Sequence, residues 1–299
     1  MIEQGAKTLC IYGATGTYKT TSIGRFARYI HKITNKRTRL VTAEAGNLEP
    51  IQDEIDEGIV EVATLVDHPA LLSILRGISK LHMWPTEVNG KLKLVREHEL
   101  DQIGAYAIEG ITTISELLLR HLANSGRKIN EDVVGQFSET DAGLGLTGDD
   151  FKFAAPARSH YGFVQKDILD IIQGFSSLPV NRVLFTAHEG KGQDEFSKQL
   201  VYGPGSVGKA ATGAIPSYVG DLIHYEIEDG GMGKDSKVVA YLKSHADAQT
   251  KVLWPAKIRL RAKYIPEFQK AFPGGKFELT VDQGIEKYLA FQDEVGRKE

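Results

Sequence analysis

Cysteine is nearly absent: Cys10 stands alone among 299 residues, so no internal disulfide can form and a reducing, cytoplasmic setting is expected. Long apolar runs are missing too, and none approaches the roughly 20 residues that a membrane-spanning helix needs. The opening Met1-Ile2-Glu3-Gln4 has neither the basic nor the apolar stretch of a secretory signal. No internal repeat and no low-complexity tract interrupts the chain. What remains is the composition of an ordinary globular protein with a net charge of −3.

Acids are unevenly missing. Residues 4 to 43 contain no Asp or Glu, yet carry Lys7, Lys19, Arg25, Arg28, Lys32, Lys36, Arg37 and Arg39. An acidic stretch follows, with Glu44, Glu49, Asp53, Glu54, Asp56 and Glu57. A second basic run holds Lys251, Lys257, Arg259, Arg261 and Lys263. Such clusters attract nucleic acid, but residues 25 to 39 also read simply as the wet face of a helix.

The richest stretch runs from Cys10 to Thr21. An apolar strand ends at Gly13-Ala14-Thr15-Gly16-Thr17-Tyr18, followed by Lys19-Thr20-Thr21 at the start of an amphipathic helix. Backbone N–H groups of such a loop wrap phosphate oxygens, and the helix N-terminus adds its positive dipole end. Lys19 is placed for the β and γ phosphates of ATP, and the Thr20 hydroxyl for Mg²⁺. The plain alternative is a strand-to-helix turn that happens to contain glycine. One position departs from the pattern: Tyr18 stands where a glycine is expected, so its side chain must point outward.

Five apolar runs, 8–12, 38–43, 59–65, 103–108 and 182–187, read as strands covered on both faces. Helical stripes lie between them, one carrying Ile23, Phe26, Ala27, Ile30 and Ile33, another Val164, Ile168, Ile171, Ile172 and Phe175. Alternation of this kind predicts an α/β fold, a mainly parallel sheet with helices on both faces. Residues 80–100 look like an inserted hairpin. The glycine-rich stretches 136–160 and 189–213 are expected to be long loops. A core over 1–228 and a β-rich extension with a terminal helix over 229–299 complete one domain; 221–228 and 237–243 pair around Asp229-Gly230-Gly231.

Hydrolysis needs carboxylates beside the phosphate loop. Glu109, ending the strand 103–108, is where an acid for the metal belongs, one methylene longer than the usual Asp. Glu44, ending 40–43, is the candidate base for water. His188 ends 182–187 and can sense the terminal phosphate. Each also reads as an exposed strand-end residue or, for His188, a structural histidine.

Together these segments resemble the RecA-like P-loop ATPases, and most closely the phage-encoded branch that includes the Sak-type single-strand annealing proteins. Matching pieces are Gly13 to Thr21, Leu40 to Gly46, Ala105 to Gly110, Leu184 to Glu189 and Ala256-Lys257-Ile258-Arg259. The resemblance implies a catalytic role for Glu44, a sensor role for His188, and a Lys-x-Arg finger, Lys257 and Arg259, reaching a neighbouring subunit's site. It also implies that 136–160 and 189–213 touch DNA, offering Phe151, Phe153, Phe196 and Tyr202 for stacking and Lys152, Lys191, Lys198 and Lys209 for phosphates. The expectation is an ATPase that assembles as a ring or filament on single-stranded DNA, in the host cytoplasm if phage-encoded. A helicase-like motor and a weakly catalytic nucleotide-binding assembly or regulatory protein are the alternatives.

Overall fold

The structure is a computed structural model, and it describes residues 6–44, 48–66, 68, 70–88, 91–96, 100–124, 156–193, 200–228, 236–246, 252–280 and 282–297. Its centre is a parallel sheet. Strand β1 (Lys7–Gly13) leads into helix α1 (Lys19–Thr34), and β2 (Arg37–Thr42) follows at once. A 3₁₀ turn at Glu49–Ile51, opened by Pro50, continues as α2 (Gln52–Asp56), then β3 (Val60–Thr64) and α3 (Leu71–Leu81). Strands β4 (Met83–Val88) and β5 (Lys91–Arg96) form a separate antiparallel hairpin within the stretch expected as an insertion. Next come β6 (Ile103–Glu109), α4 (Ile111–Asn124), α5 (Arg158–Ser176), β7 (Arg182–Gln193), β8 (Leu200–Pro204), α6 (Lys209–Tyr218) and β9 (Asp221–Glu228). The remainder is β10 (Lys237–Tyr241), β11 (His245–Ala246), β12 (Leu253–Trp254), α7 (Ile265–Ala271), β13 (Lys276–Leu279) and α8 (Ile285–Arg297).

Side by side, the main sheet runs β3, β2, β6, β7, β1, β9, β10, β13. The first six strands are mutually parallel, and β10 and β13 add antiparallel edges. Alternation along β1 shows why both faces are covered. Cys10 and Tyr12 enter one apolar core with residues of α3, α4 and α5, while Leu9 and Ile11 enter another with α1 and α8. Ile23, Phe26 and Ile30 of α1 are fully buried in the second core, each side chain adding about 1.5–3 kcal/mol.

One expectation is corrected. Residues 189–213 are not one loop: β7 runs on to Gln193, pairs antiparallel with β8, and α6 follows. Glycines 190 and 203 face each other across that ladder, so these glycines permit close strand packing; alone they read as loop residues. The other stretch, 136–160, falls outside the described residues up to 155; from Arg158 it is helix α5. Among the described residues, no helix is long and apolar enough to cross a membrane.

Candidate functional site

Because β1, β2, β6 and β7 are parallel, their carboxyl ends open on one edge of the sheet, and the predicted chemistry gathers there. His188 lies in register with Gly13, and Glu109 with Thr42, two residues short of Glu44. A cleft of about 370 Å³ is lined by Thr15 to Thr21, Glu44, Glu49, Glu109, Thr186 and His188, among others.

Gly13 is required by crowding: a Cβ there would stand 2.2 Å from the Tyr225 carbonyl oxygen on β9. The loop then turns through Thr17, whose hydroxyl donates to the Ala14 carbonyl at 2.8 Å, and reaches Tyr18. Tyr18 adopts the left-handed conformation, φ 60° and ψ 26°, with 55% of its surface exposed. The backbone thus keeps the geometry a glycine would favour, with the side chain largely in solvent at the rim of the cleft.

Lys19 folds back over the loop, its ammonium donating to the carbonyls of Gly13 at 2.9 Å and Ala14 at 2.6 Å. Burial pulls its pKa down to about 8, although Glu44, Glu109 and Glu189 all favour the charged form.

Glu109 is 3% exposed. Its Oε1 accepts from the Thr20 hydroxyl at 2.6 Å. Oε2 is buried without a donor in full hydrogen-bond geometry, and the Thr42 hydroxyl also interacts with the carboxyl group. Burial raises the Glu109 pKa, an effect Glu44 reinforces and Thr20 and Thr42 oppose. A hydroxyl and a carboxylate side by side at the start of the phosphate-loop helix, with one carboxylate oxygen under-satisfied, fit a Mg²⁺ ion held through water. The residues present therefore suit a nucleoside triphosphate with its metal.

Glu44 faces this pair across the cleft. Thr113 Oγ1 donates to Glu44 Oε1 at 2.9 Å, and His188 Nε2 lies 3.5 Å from the same oxygen. Gly110, φ 74°, makes room, since a Cβ there would meet Glu44 Oε1 at 2.5 Å. His188 is itself anchored through its backbone, donating N–H to Thr112 Oγ1 and accepting from Gly205. Thr112, Thr113, Thr42 and Thr186 were not among the predicted site residues. Threonines in the first turn after a strand-end acid are the signal that points to Thr112 and Thr113; Thr42 and Thr186 lie within β2 and β7, where the sequence does not set them apart.

Lys257 and Arg259 stand apart from this cleft. Lys257 exchanges backbone hydrogen bonds with Leu222, which pairs with Cys10, and the Arg259 N–H donates to Asp221 Oδ1 at 2.7 Å. Three residues of strand separate Cys10 from Gly13, about 10 Å. Lys257 is half-buried and Arg259 exposed, on the outer side of β9. Of the residues considered for DNA, Phe151, Lys152, Phe153, Phe196 and Lys198 lie outside the described residues. Lys191 is exposed, whereas the Tyr202 ring is stacked on Trp254 at 5.8 Å.

No protein-family model matches the chain, and no curated protein matches it in sequence. Among solved structures it is similar to a KaiC-like protein from the hyperthermophilic archaeon Pyrococcus horikoshii OT3, at 12% identity over 79% of this chain and 78% of that one, with a TM-score of 0.37. It is also similar to the RadB recombinase, at 11% identity over 84% of this chain and 86% of that one, with a TM-score of 0.43.

Proposed function

We propose that the chain is a RecA-like ATPase that binds ATP with Mg²⁺ and hydrolyses it slowly between subunits assembled on single-stranded DNA, in phage-type recombination. The observation that carries the nucleotide reading is the Thr20–Glu109 hydrogen bond, with Glu44 facing it across a cleft closed by the phosphate loop. Loop N–H groups and the released Lys19 ammonium bind the phosphates. Mg²⁺, when bound, supplies charge that neutralises the phosphate oxygens. The Thr20 hydroxyl and, through water, Glu109 would hold the ion. Glu44, oriented by Thr113, takes a proton from the water whose oxygen attacks the terminal phosphorus, and the bond to the bridging oxygen breaks to leave ADP and phosphate. His188 holds Glu44 in place and hears the terminal phosphate.

Lys257 and Arg259 serve the neighbouring copy's site. Their distance from their own cleft and the exposure of Arg259 support that role. The exposed Lys191 on the β7–β8 hairpin supports a DNA contact next to the sensor strand.

The test is ATP turnover with and without single-stranded DNA, for the native chain and for Lys19→Ala. The reading expects turnover that DNA alters and that Lys19→Ala abolishes. Turnover indifferent to DNA, with no DNA bound, removes the recombination part. Absence of triphosphate binding by calorimetry removes the whole.

A further inference from the structure

A second group of chemically able side chains lies beside the cleft and takes no part in it. His224 and Glu226 project from one face of β9, His245 comes from β11, and Glu189 follows the sensor His188 on β7. His224, Glu226 and His245 each offer a ligand atom, and the three atoms lie within 4.8 Å of one another. Glu189 Oε2 is 3.1 Å from His224 Nε2, and Glu226 Oε2 is 3.0 Å from His245 Nε2.

The rings are arranged to share something. His245 and Tyr241 lie face to face, centroids 3.7 Å apart and planes 18° apart. The His224 centroid is 5.1 Å from His245 and 6.1 Å from Tyr241. Those three separations make a nearly right angle at His245, so His224 lies to one side of the His245–Tyr241 stack. The two imidazole planes differ by only 24°. Two imidazoles on one tetrahedral ion, each nitrogen about 2.1 Å away, have centres about 5 Å apart.

A second observation concerns what the rings leave undone. His224 is 1% exposed, and its Nδ1 has no hydrogen-bond partner; His245 Nδ1 is likewise buried and unpartnered. Each ring therefore gives one nitrogen to a carboxylate and leaves the other idle. As neutral rings both can donate Nε2–H to the carboxylates, which satisfies the hydrogen bonds but leaves two negative charges, and protonating the rings to balance them would bury charge on each, which is costly. A shared divalent cation supplies the positive charge without that cost.

We propose that His224, His245 and Glu226, with Glu189 as fourth ligand or orienting partner, form a structural site for a borderline divalent metal ion of the Zn²⁺ class. Two imidazoles and a carboxylate select Zn²⁺ or Co²⁺ over Mg²⁺ and Ca²⁺, which prefer all-oxygen shells. The site ties the end of β7, the centre of β9 and the β11–β12 hairpin together. Trp254 and Tyr12 flank it, with ring centres 5.5 Å from His245 and 4.8 Å from His224 respectively, so it is walled by aromatics. It fixes the base of the β7–β8 hairpin and is independent of the triphosphate reading.

The experiment uses the full chain, stripped with a chelator and re-equilibrated with Zn²⁺ or Co²⁺. Expected are one Zn²⁺ retained per chain after desalting, tetrahedral Co²⁺ absorption in the visible, and a higher melting temperature with Zn²⁺ but not Mg²⁺. His245→Gln and Glu226→Gln, at partly exposed positions, are expected to weaken Zn²⁺ binding at least about tenfold. Lys19→Ala and His188→Gln keep it, which separates this site from the cleft. No stoichiometric retention by the native chain, an octahedral Co²⁺ spectrum, or retention unchanged in both Gln variants overturns the proposal. Should either Gln variant lose its circular dichroism, the native Co²⁺ spectrum and the other variant decide.

Discussion

The two ends of the parallel sheet are built from the same strands but treat polar groups in opposite ways. At the carboxyl ends, Lys19 is occupied with its own loop, the carbonyls of Gly13 and Ala14 and the Thr17 hydroxyl, Glu109 has an under-satisfied oxygen, and Tyr18 holds a left-handed backbone. At the amino ends, charged groups are spent on one another. Arg182, 3% exposed, donates to Gln292 Oε1 at 2.7 Å and to Asp293, which also meets Lys7 and the Tyr29 hydroxyl. Asp221 accepts from Gln292 and from the Arg259 backbone. Burial alone would raise Asp293, but Arg182, Tyr29 and Lys7 outweigh it and hold the carboxyl below its ordinary value. The lesson is that a left-handed backbone and a spare carboxylate oxygen mark the working end, whereas at the structural end the carboxylates are paired, although Arg182 Nε is buried without a partner.

That contrast breaks most visibly in turnover. Lys19→Ala is expected to lower ATP hydrolysis at least about 10³-fold, roughly 4 kcal/mol of transition-state stabilisation. Glu44→Gln is expected to cost about 10²–10⁴-fold while triphosphate binding persists, because it removes a proton acceptor and leaves the loop intact. Both should leave the melting temperature near that of the native chain. A Glu44→Gln enzyme with full activity would remove Glu44 from its role as base.

The opposite end should respond in the opposite observable. Arg182→Met leaves Asp293 and Gln292 without their main partner and is expected to destabilise the fold by about 3 kcal/mol in chemical denaturation. Triphosphate affinity at a temperature where the variant is folded should stay within about twofold. A parallel loss of affinity would mean that the two ends are coupled, and the contrast would fail.

Much of this division was legible in the residues. The strand-loop-Lys-Thr order put Lys19 at a strand-to-helix turn, and the acids ending 38–43 and 103–108 put Glu44 and Glu109 beside it in one cleft, because parallel strands bring their carboxyl ends to one edge. The hairpin β7–β8 was not legible, since Gly190, Gly192 and Gly203 look like loop residues until their partner strand is known. The Arg182–Gln292–Asp293–Asp221 network was not legible either. Its members are up to 111 residues apart, and no periodicity links them. The His224–His245 pair escaped for the same reason: the two residues lie on separate strands, 21 residues apart, at a spacing that matches no metal-binding motif.

A finer probe of the working end is its proton balance. Lys19 sits near pKa 8 in the protein without nucleotide, against 10.5 for an ordinary lysine. Between those values the folded chain holds fewer protons than the unfolded one, so this group makes stability rise with pH across that window. Triphosphate binding needs the ammonium, so it must recapture the proton, and affinity should fall as pH rises through about 8. Calorimetry near pH 9 in buffers of different ionisation enthalpy should register uptake of up to about one proton, and Lys19→Arg should abolish it. Binding without proton uptake would mean that the lysine is already charged in the empty loop.

The smallest expected effect concerns Tyr18, and it isolates backbone from side chain. A non-glycine residue at φ 60° bears a steric cost of about 1 kcal/mol, while glycine there loses about 0.5–1 kcal/mol more backbone entropy on folding. Tyr18→Gly should therefore leave stability nearly unchanged, the two terms offsetting. Tyr18→Val keeps the strain and adds a β-branch, for which the left-handed region is worse still, so it should be less stable than Tyr18→Gly by at least about 1 kcal/mol. Since the ring is already 55% exposed, its removal costs little packing, and the difference between the two variants reads the conformation alone. Equal stabilities for Gly and Val would show that the loop does not hold this φ in solution, and the preformed phosphate cradle would lose its backbone.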